Sequence, residues 1–317
     1  MAKQAVQISG KKRTLHLFQK LKMCKKCNRY SVLKDDTCPK CGSHYTYVEK
    51  LAKSMFRTKL GNEAAIILVL VSVGIMFATT LDSLYYCLIA GLIFCLGYCL
   101  MTGFFLTSEY FLQLKKLLDS DSLRIQRGIM FDSEQARIDV REGRVAEAYE
   151  KLTEISDFIK NDQIRIRRIM VLNDIELRKD MELELDSLVP STYDKDFLLY
   201  ALEAIRLDRS LVTRNVIAYF IDYRYEIEND FGFDALISVA GSAVRAKLYI
   251  QEFPGFILEF LEHFPKDRLL RLCRILEADP EENWGPLRLR ARQTAERKYG
   301  FDPEFKELYG TVADPVQ

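Results

Sequence analysis

The hydropathy pattern is dominated by two uncharged stretches, residues 64–81 and 83–108, which are separated only by Asp82. A helix rises about 1.5 Å per residue, so each stretch is long enough to cross the hydrocarbon core of a bilayer. Two adjacent stretches of this length favour transmembrane helices in a tight hairpin over a pair of buried helices in a soluble fold. A cleaved signal peptide is disfavoured, because more than sixty residues precede the first stretch.

After the second stretch, the apolar residues recur at helical spacing and polar or proline-containing breakers separate the windows. The windows are 111–118, 146–159, 197–207, 216–225, 235–250 and 256–264. This pattern predicts an all-α domain over residues 109–317, with helical hairpins or a solenoid-like stack. A plain helical bundle is the alternative.

Residues 143–152, GRVAEAYEKL, resemble the inter-helix turn and second helix of a tetratricopeptide repeat. The resemblance implies that Gly143 turns the chain and that Ala148 packs helix against helix. Residues 179–188 have a similar apolar spacing but lack the glycine and the alanine. The sequence therefore favours an irregular helical-hairpin domain over a counted repeat array.

Two Cys-x-x-Cys pairs stand near the beginning of the chain, ten residues apart. They comprise Cys24, Cys27, Cys38 and Cys41. Four thiolates at this spacing can surround a tetrahedral ion, which is the closed arrangement of structural zinc sites. Asn28 and Gly42 follow the pairs, and these residue types readily adopt positive φ, which lets backbone N–H groups point at the sulfur atoms. Iron is a second candidate, and a disulfide or a redox-active pair is less favoured.

Residues 29–33 and 45–48 have the composition of short strands that pair with each other, with a turn at residues 34–36. With the motifs CKKCN and CPKCG, the segment 15–50 resembles a zinc ribbon of the rubredoxin-like kind. The resemblance implies one structural Zn²⁺ per chain, bound by the four cysteines and without an open coordination position for catalysis. His16 and His44 lie nearby, but the cysteines already complete the ligand set.

The net charge of +1 hides an uneven distribution. Residues 1–60 contain twelve Lys and three Arg against three acidic residues, a net charge of +12, whereas the part after residue 108 is close to −9. The basic residues before the first stretch, and Lys115 and Lys116 after the second, place both termini in the cytosol. The expected order is a basic tail (1–14), the ribbon (15–50), a basic linker (51–63), two spans and a cytosolic helical domain.

Three partners suit the basic N-terminal part: anionic lipid head groups, nucleic-acid phosphates and the acidic part of the chain itself. The residues proposed for lipid or nucleic acid are Lys11, Lys12, Arg13, Lys20, Lys22, Lys25, Lys26 and Arg29. Aromatic residues near the ribbon, Tyr30, Tyr45 and Tyr47, would stack on bases in the nucleic-acid case.

We find no motif for a nucleophile, a phosphate-binding loop or a catalytic metal in residues 109–317. The single histidine there, His263, and the single cysteine, Cys273, lack motif-level partners. The first hypothesis is therefore a non-enzymatic membrane adaptor that recruits a protein through residues 120–317. The second is a membrane-tethered nucleic-acid-binding protein. An enzyme with an unrecognised site ranks third.

Overall fold

The computed structural model describes residues 3–6, 16–78, 80–159 and 161–309, which are mostly helical with one small sheet near the N-terminus. The chain forms two compact units. We call Lys11–Lys160 the ribbon unit, and Asn161–Gln317 together with Met1–Gly10 the helical unit. The division between the two units falls at residue 160. The first helices after the apolar stretches therefore belong with the ribbon.

The ribbon unit begins with a 3₁₀ turn, Leu17–Lys20, and an antiparallel sheet. The strands are β1 (Lys22–Cys24), β2 (Arg29–Ser31) and β3 (Tyr45–Tyr47), in the order β2-β1-β3. We expected the second and third strands to pair directly, but β1 lies between them. The sequence does not predict this strand, because a lysine, Lys22, occupies one of its buried positions. Its side chain is buried, and its ammonium group donates to the carbonyl oxygens of Lys34 and Asp35.

Two long helices follow the sheet: α1 (Val48–Met76) and α2 (Leu81–Ser120). Residues 51–63, predicted as a linker, are helical and continuous with the first apolar stretch. Val48 and Ala52 are fully buried, which fixes the start of α1. α1 ends at Met76, a few residues before the expected end of the stretch. Both helices are long and apolar enough to cross a membrane.

Two further helices complete the ribbon unit: α3 (Ser122–Arg141) and α4 (Val145–Phe158). Gly143 turns the chain between them with φ of +76°. Ala136 on α3 and Ala148 and Leu152 on α4 are buried. The turn and the second helix thus occur where residues 143–152 predict them, while the assignment to the repeat family remains a prediction. The window analysis had not identified α3.

The helical unit contains ten helices within the described residues, and several predicted windows are subdivided. They are α5 (Asp162–Asn173), α6 (Lys195–Leu207), α7 (Arg214–Asp222), α8 (Arg224–Phe231), α9 (Phe233–Ala243), α10 (Lys247–Glu252), α11 (Pro254–Phe260), α12 (Lys266–Ala278), α13 (Pro286–Tyr299) and α14 (Pro303–Tyr309). The helix in the window 216–225 is α7, which ends at Asp222, and α8 begins at Arg224. The window 235–250 is divided between α9 and α10. The core contains Phe197, Phe220, Phe260 and Cys273, all of which are buried.

The connection between α5 and α6 is non-helical up to a 3₁₀ turn at Asp186–Leu188. The first described residues of the chain lie along it, because Gln4 forms a parallel β-bridge with Ile175. Residues 179–188, which had been compared with a second repeat, therefore do not form a helix of such a repeat.

Candidate metal centre

The four cysteines converge on one point at the end of the sheet. Cys24 ends β1 and Cys27 lies in the turn to β2, while Cys38 and Cys41 lie in a loop closed by a bridge between Thr37 and His44. Their sulfur atoms all lie within 4.8 Å of one another.

The spacing of the sulfur atoms matches the edges of a metal-centred tetrahedron. The Sγ atoms of Cys24 and Cys41 are 3.4 Å apart, those of Cys27 and Cys38 3.5 Å, and those of Cys27 and Cys41 3.9 Å. A zinc–sulfur bond of about 2.3 Å implies sulfur–sulfur edges of about 3.8 Å. All four cysteines are free of disulfides. The residues present therefore fit a structural metal ion.

The turns after each pair have the predicted backbone conformation. Asn28 has φ of 54° and Gly42 has φ of 68°. The amide of Asn28 donates to the carbonyl of Cys24 at 2.8 Å, and that of Gly42 donates to the carbonyl of Cys38 at the same distance. Each left-handed residue closes the turn that holds two sulfur atoms on one side. The predicted positive φ of Asn28 and Gly42 is confirmed.

Backbone N–H groups stabilise negative charge on the sulfur atoms. The amide and hydroxyl of Ser43 lower the pKa of Cys41 to about 6. Burial raises the pKa of Cys38, but hydrogen bonds, chiefly from the amide of Lys40, outweigh burial and lower it overall. Burial and the neighbouring sulfur atoms raise the pKa of Cys27 to about 12. Four close thiolates repel one another, so a cation is what allows all of them to ionise.

The strand that follows the first cysteine pair is bonded to α3. Asp132 accepts from the hydroxyl of Ser31 and from the amide of Val32, both at 2.9 Å. The hydroxyl of Tyr30 donates to Asp121 immediately before α3. Gly128 allows the close approach, because a Cβ there would overlap the carbonyl oxygen of Tyr30. Strand β2 therefore lies directly against the helix.

The segments that precede β1 and follow β2 are also bonded to α4. The amide of Lys34 donates to the buried carboxylate of Glu154 at 2.8 Å, and Lys20 pairs with Asp157 at 2.9 Å. The ring of Phe18 packs edge-on against that of Phe158. Strand β2 and the residues that flank the first two strands are therefore packed against both helices.

Burial shifts the pKa values of the two carboxyl groups beneath the ribbon. It raises the pKa of Asp132 to about 6, although the amide of Val32 and the hydroxyl of Ser31 favour the charged form. Burial also raises the pKa of Glu154, against the attraction of Lys34. Sequence reasoning missed both residues. For Glu154 the available signal was an acidic residue within the predicted helical window 146–159, whereas Asp132 lies in α3, which the sequence did not identify.

The proposed basic surface is divided between internal and exposed positions. Lys20 is paired with Asp157, Lys22 is buried, and the guanidinium of Arg29 lies 3.1 Å from the ring centroid of Phe131. Lys25 and Lys26 are exposed. The remaining residues, Lys11, Lys12 and Arg13, lie outside the described residues.

The histidines and tyrosines near the ribbon have other roles. The Nε2 atom of His16 lies 2.7 Å from Glu49. Tyr30 is fully buried, whereas Tyr47 is 40% exposed. Only some of the aromatic residues proposed for base stacking are therefore accessible.

The apolar helices α1 and α2 pack together and expose their outer sides. Phe104 is 91% and Met76 85% exposed, and both belong to these helices. At the N-terminal end of the first apolar stretch, Tyr98 donates to Glu63 and Lys59 pairs with Glu109 at 2.7 Å. The two helices are thus joined by polar contacts where the uncharged surface begins.

No protein-family model, no curated protein and no solved structure matches this chain.

Proposed function

We propose that the chain is a membrane-anchored adaptor without catalytic activity, in which a zinc ion stabilises the ribbon and the helical unit binds a protein partner. The observation that carries the proposal is the placement of the four-cysteine site. Its strand β2 is bonded to α3 and its following loop to α4, in the same unit as the two apolar helices. A site in this position supports a structural role for the ion.

The ligand set favours zinc. Four thiolates satisfy a tetrahedral ion and leave no position for a water molecule or a substrate. Bound there, zinc would crosslink the two turns and supply no reaction chemistry. Thiolates survive best in a reducing compartment, which agrees with a cytosolic ribbon.

Membrane anchoring is supported by the exposed apolar sides of α1 and α2. Side chains such as Met76 and Phe104 would face water in a soluble protein, whereas in a bilayer they would face lipid. The charge distribution supports a cytosolic position for both ends of the hairpin.

Cysteine labelling in native membranes tests this topology. In a background with Cys87, Cys95 and Cys99 changed to serine, Phe77→Cys at the tip should react with a membrane-impermeant maleimide from the non-cytosolic side only. Lys116→Cys is the control and should react from the cytosolic side only. Peptide-resolved mass spectrometry separates these sites from the ribbon cysteines. Labelling of Phe77→Cys from the cytosolic side would contradict two complete spans.

The protein partner is tested by crosslinking at exposed apolar positions of the helical unit. Tyr225, Leu248 and Leu289 are each more than 60% exposed. A photoreactive residue at each position, in the full chain and in its native membrane, should capture the same protein. The same residue at Phe104 is the matched control and should capture lipid. Capture of no protein at any of the three positions would contradict the adaptor proposal.

A nucleic-acid-binding function is the second candidate, and the exposed lysines around the cysteines favour it. Lys25, Lys26 and Lys40 all face solvent. If they contact phosphates, the affinity of the purified protein for single-stranded RNA should fall steeply with salt, and Lys25→Gln with Lys26→Gln should flatten that dependence. An affinity that does not depend on salt would remove this candidate.

A further inference from the structure

The connection between α5 and α6 presents a backbone edge on the helical unit. Ile175 and Leu177 are buried, whereas Asp174 and Glu176 between and beside them are exposed. Asp174 is the helical C-cap of α5, and from Ile175 to Arg178 buried and exposed residues alternate as in a strand with one face against the core. The carbonyl of Asp174 and the amide of Glu176 form hydrogen bonds with the backbone of Gln4.

Residues 3–6 occupy this edge. The amide of Gln4 donates to the carbonyl of Asp174 at 2.8 Å, and the amide of Glu176 donates to the carbonyl of Gln4 at 2.9 Å. One residue earlier, the ammonium group of Lys3 pairs with the carboxylate of Glu203 on α6. An extended backbone and a basic side chain are thus recognised together.

The contacts of this segment are polar and accessible. Residues 3–5 are exposed, and the Lys3 and Glu203 side chains retain 38% and 36% of their exposure. Such contacts hold a segment in register without burying an apolar anchor, so each is worth little by itself. A segment held in this way can be exchanged for another with the same chemistry.

We propose that the edge at Asp174–Glu176 is the docking site for an extended basic segment of the protein partner, and that residues 3–6 occupy it as an intramolecular substitute. The inference rests on the proposed adaptor function, because it places the partner on the helical unit. Strand addition supplies affinity through the backbone, and Glu203 selects a Lys or Arg just before the paired residue. The net negative charge after residue 108 favours a basic ligand.

The tail competes with any free ligand. A segment tethered to its own site acts at an effective concentration on the order of millimolar. Removal of residues 2–6 from the full chain should therefore open the edge to a peptide added in solution.

The probe is a fluorescent peptide with the sequence of residues 1–10, titrated against the full-length protein in lipid nanodiscs by fluorescence anisotropy. We expect saturable binding to the variant lacking residues 2–6, and binding to the intact chain that is at least about tenfold weaker because of the tethered competitor. N-methylation of the Gln4 amide in the peptide should lower its affinity about fivefold or more. N-methylation of Ala5, which donates to no described acceptor, should leave the affinity within about twofold.

Charge exchange tests the side-chain part. In the deletion variant, Glu203→Lys should weaken the peptide about fivefold, and a peptide carrying Lys3→Glu should recover most of that loss. Glu182→Lys is the matched control, since it makes the same charge change at an exposed position on the same connection. It should have an effect of less than about twofold.

Three outcomes would overturn the inference. They are no peptide binding to the deletion variant, equal binding to the intact and deleted chains, and a change from monomer to oligomer that depends on residues 2–6, which would make a second copy the ligand. Loss of the peptide result with retention of protein crosslinking at Tyr225, Leu248 and Leu289 would reject this edge and leave the adaptor function standing. Loss of crosslinking with retention of peptide binding would reject the adaptor function, and with it the role of this edge as the partner's docking site.

Discussion

At the scale of single residues, Asp132 is a carboxyl group buried between α3 and β2. Its environment contains Arg29, which favours the charged form, and Asp35, which opposes it, but burial dominates and raises the pKa to about 6. The ordinary pKa of an aspartate in an unfolded chain is about 3.9. The folded protein therefore holds this proton more tightly than the unfolded chain does.

The sign of the pH dependence follows from that difference. The contribution of Asp132 to stability is complete below the unfolded pKa and is lost as pH rises through about 6, by at most about 3 kcal/mol. Asp132→Asn keeps an oxygen that accepts from Ser31 and Val32 but does not ionise. Unfolding of the full chain in detergent, followed by circular dichroism between about pH 4 and about 7, should show a flatter pH profile for this variant, because the change lies between the unfolded and the folded pKa.

The control for this profile is Asp119→Asn, an exposed aspartate near the end of α2. It should leave the wild-type pH dependence unchanged. An unchanged slope in Asp132→Asn would show that Asp132 is not the group responsible.

The cysteine ligands give a prediction at the same scale. Metal analysis of the purified full chain should find about one zinc ion per chain. Cys24→Ser combined with Cys41→Ser removes one ligand from each pair, and the hydroxyl is a poor replacement for a thiolate, so the metal should be lost. Cys99→Ser, a substitution in the apolar part of α2, should retain it. Stoichiometric metal in the double variant would refute the site.

At the scale of elements, the contact between β2 and α3 depends on Gly128. A methyl group there would overlap the backbone of Tyr30, so Gly128→Ala must move the strand away from the helix. We expect a loss of unfolding free energy of about 1–3 kcal/mol, measured by denaturant titration. Gly61→Ala, in an open position on α1, should instead stabilise slightly, because alanine favours a helix. Equal effects of both variants would contradict the close packing of β2.

The sequence predicts those elements whose conformation is determined by neighbouring residues, and it misses those that depend on contacts with other elements. The two cysteine pairs, Asn28 and Gly42 could be identified because each turn is determined within a few residues of sequence. The α3 helix could not, because Asp132 and Asp139 interrupt the apolar positions of its buried face. The hydrogen-bond donors that allow these carboxylates to be buried lie outside α3. Ser31 and Val32 donate to Asp132, and Arg144 and Lys151 donate to Asp139. Strand β1 was missed for the same reason, since Lys22 is compensated by distant carbonyls.

At the scale of the whole molecule, the division into two units predicts a localised response to metal removal. The ribbon is bonded to α3 and α4, while the helical unit has its own buried core. Chelation of the intact chain in detergent should increase amide hydrogen exchange in residues 22–47 and in α3 and α4. The exchange of α6, α9 and α12 should remain unchanged, because the metal supports only the unit that contains it.

Two results would contradict this division. A uniform increase over both units would indicate a single cooperative structure. An increase confined to residues 24–41 would show that the ribbon does not support α3 and α4. Treatment with zinc-loaded chelator is the matched control, since it adds the same reagent without removing the ion.

The buried Lys22 side chain provides a chemical measure of how often the ribbon opens. Amine-reactive acylation requires access to the Nζ nitrogen in its neutral form, and in the folded ribbon this nitrogen is buried and donates to the carbonyl oxygens of Lys34 and Asp35. Lys25 and Lys26 lie on the same short stretch of chain and face solvent. The ratio of modification at Lys22 to that at its two neighbours therefore measures how often the ribbon opens, with the two exposed lysines as an internal reference.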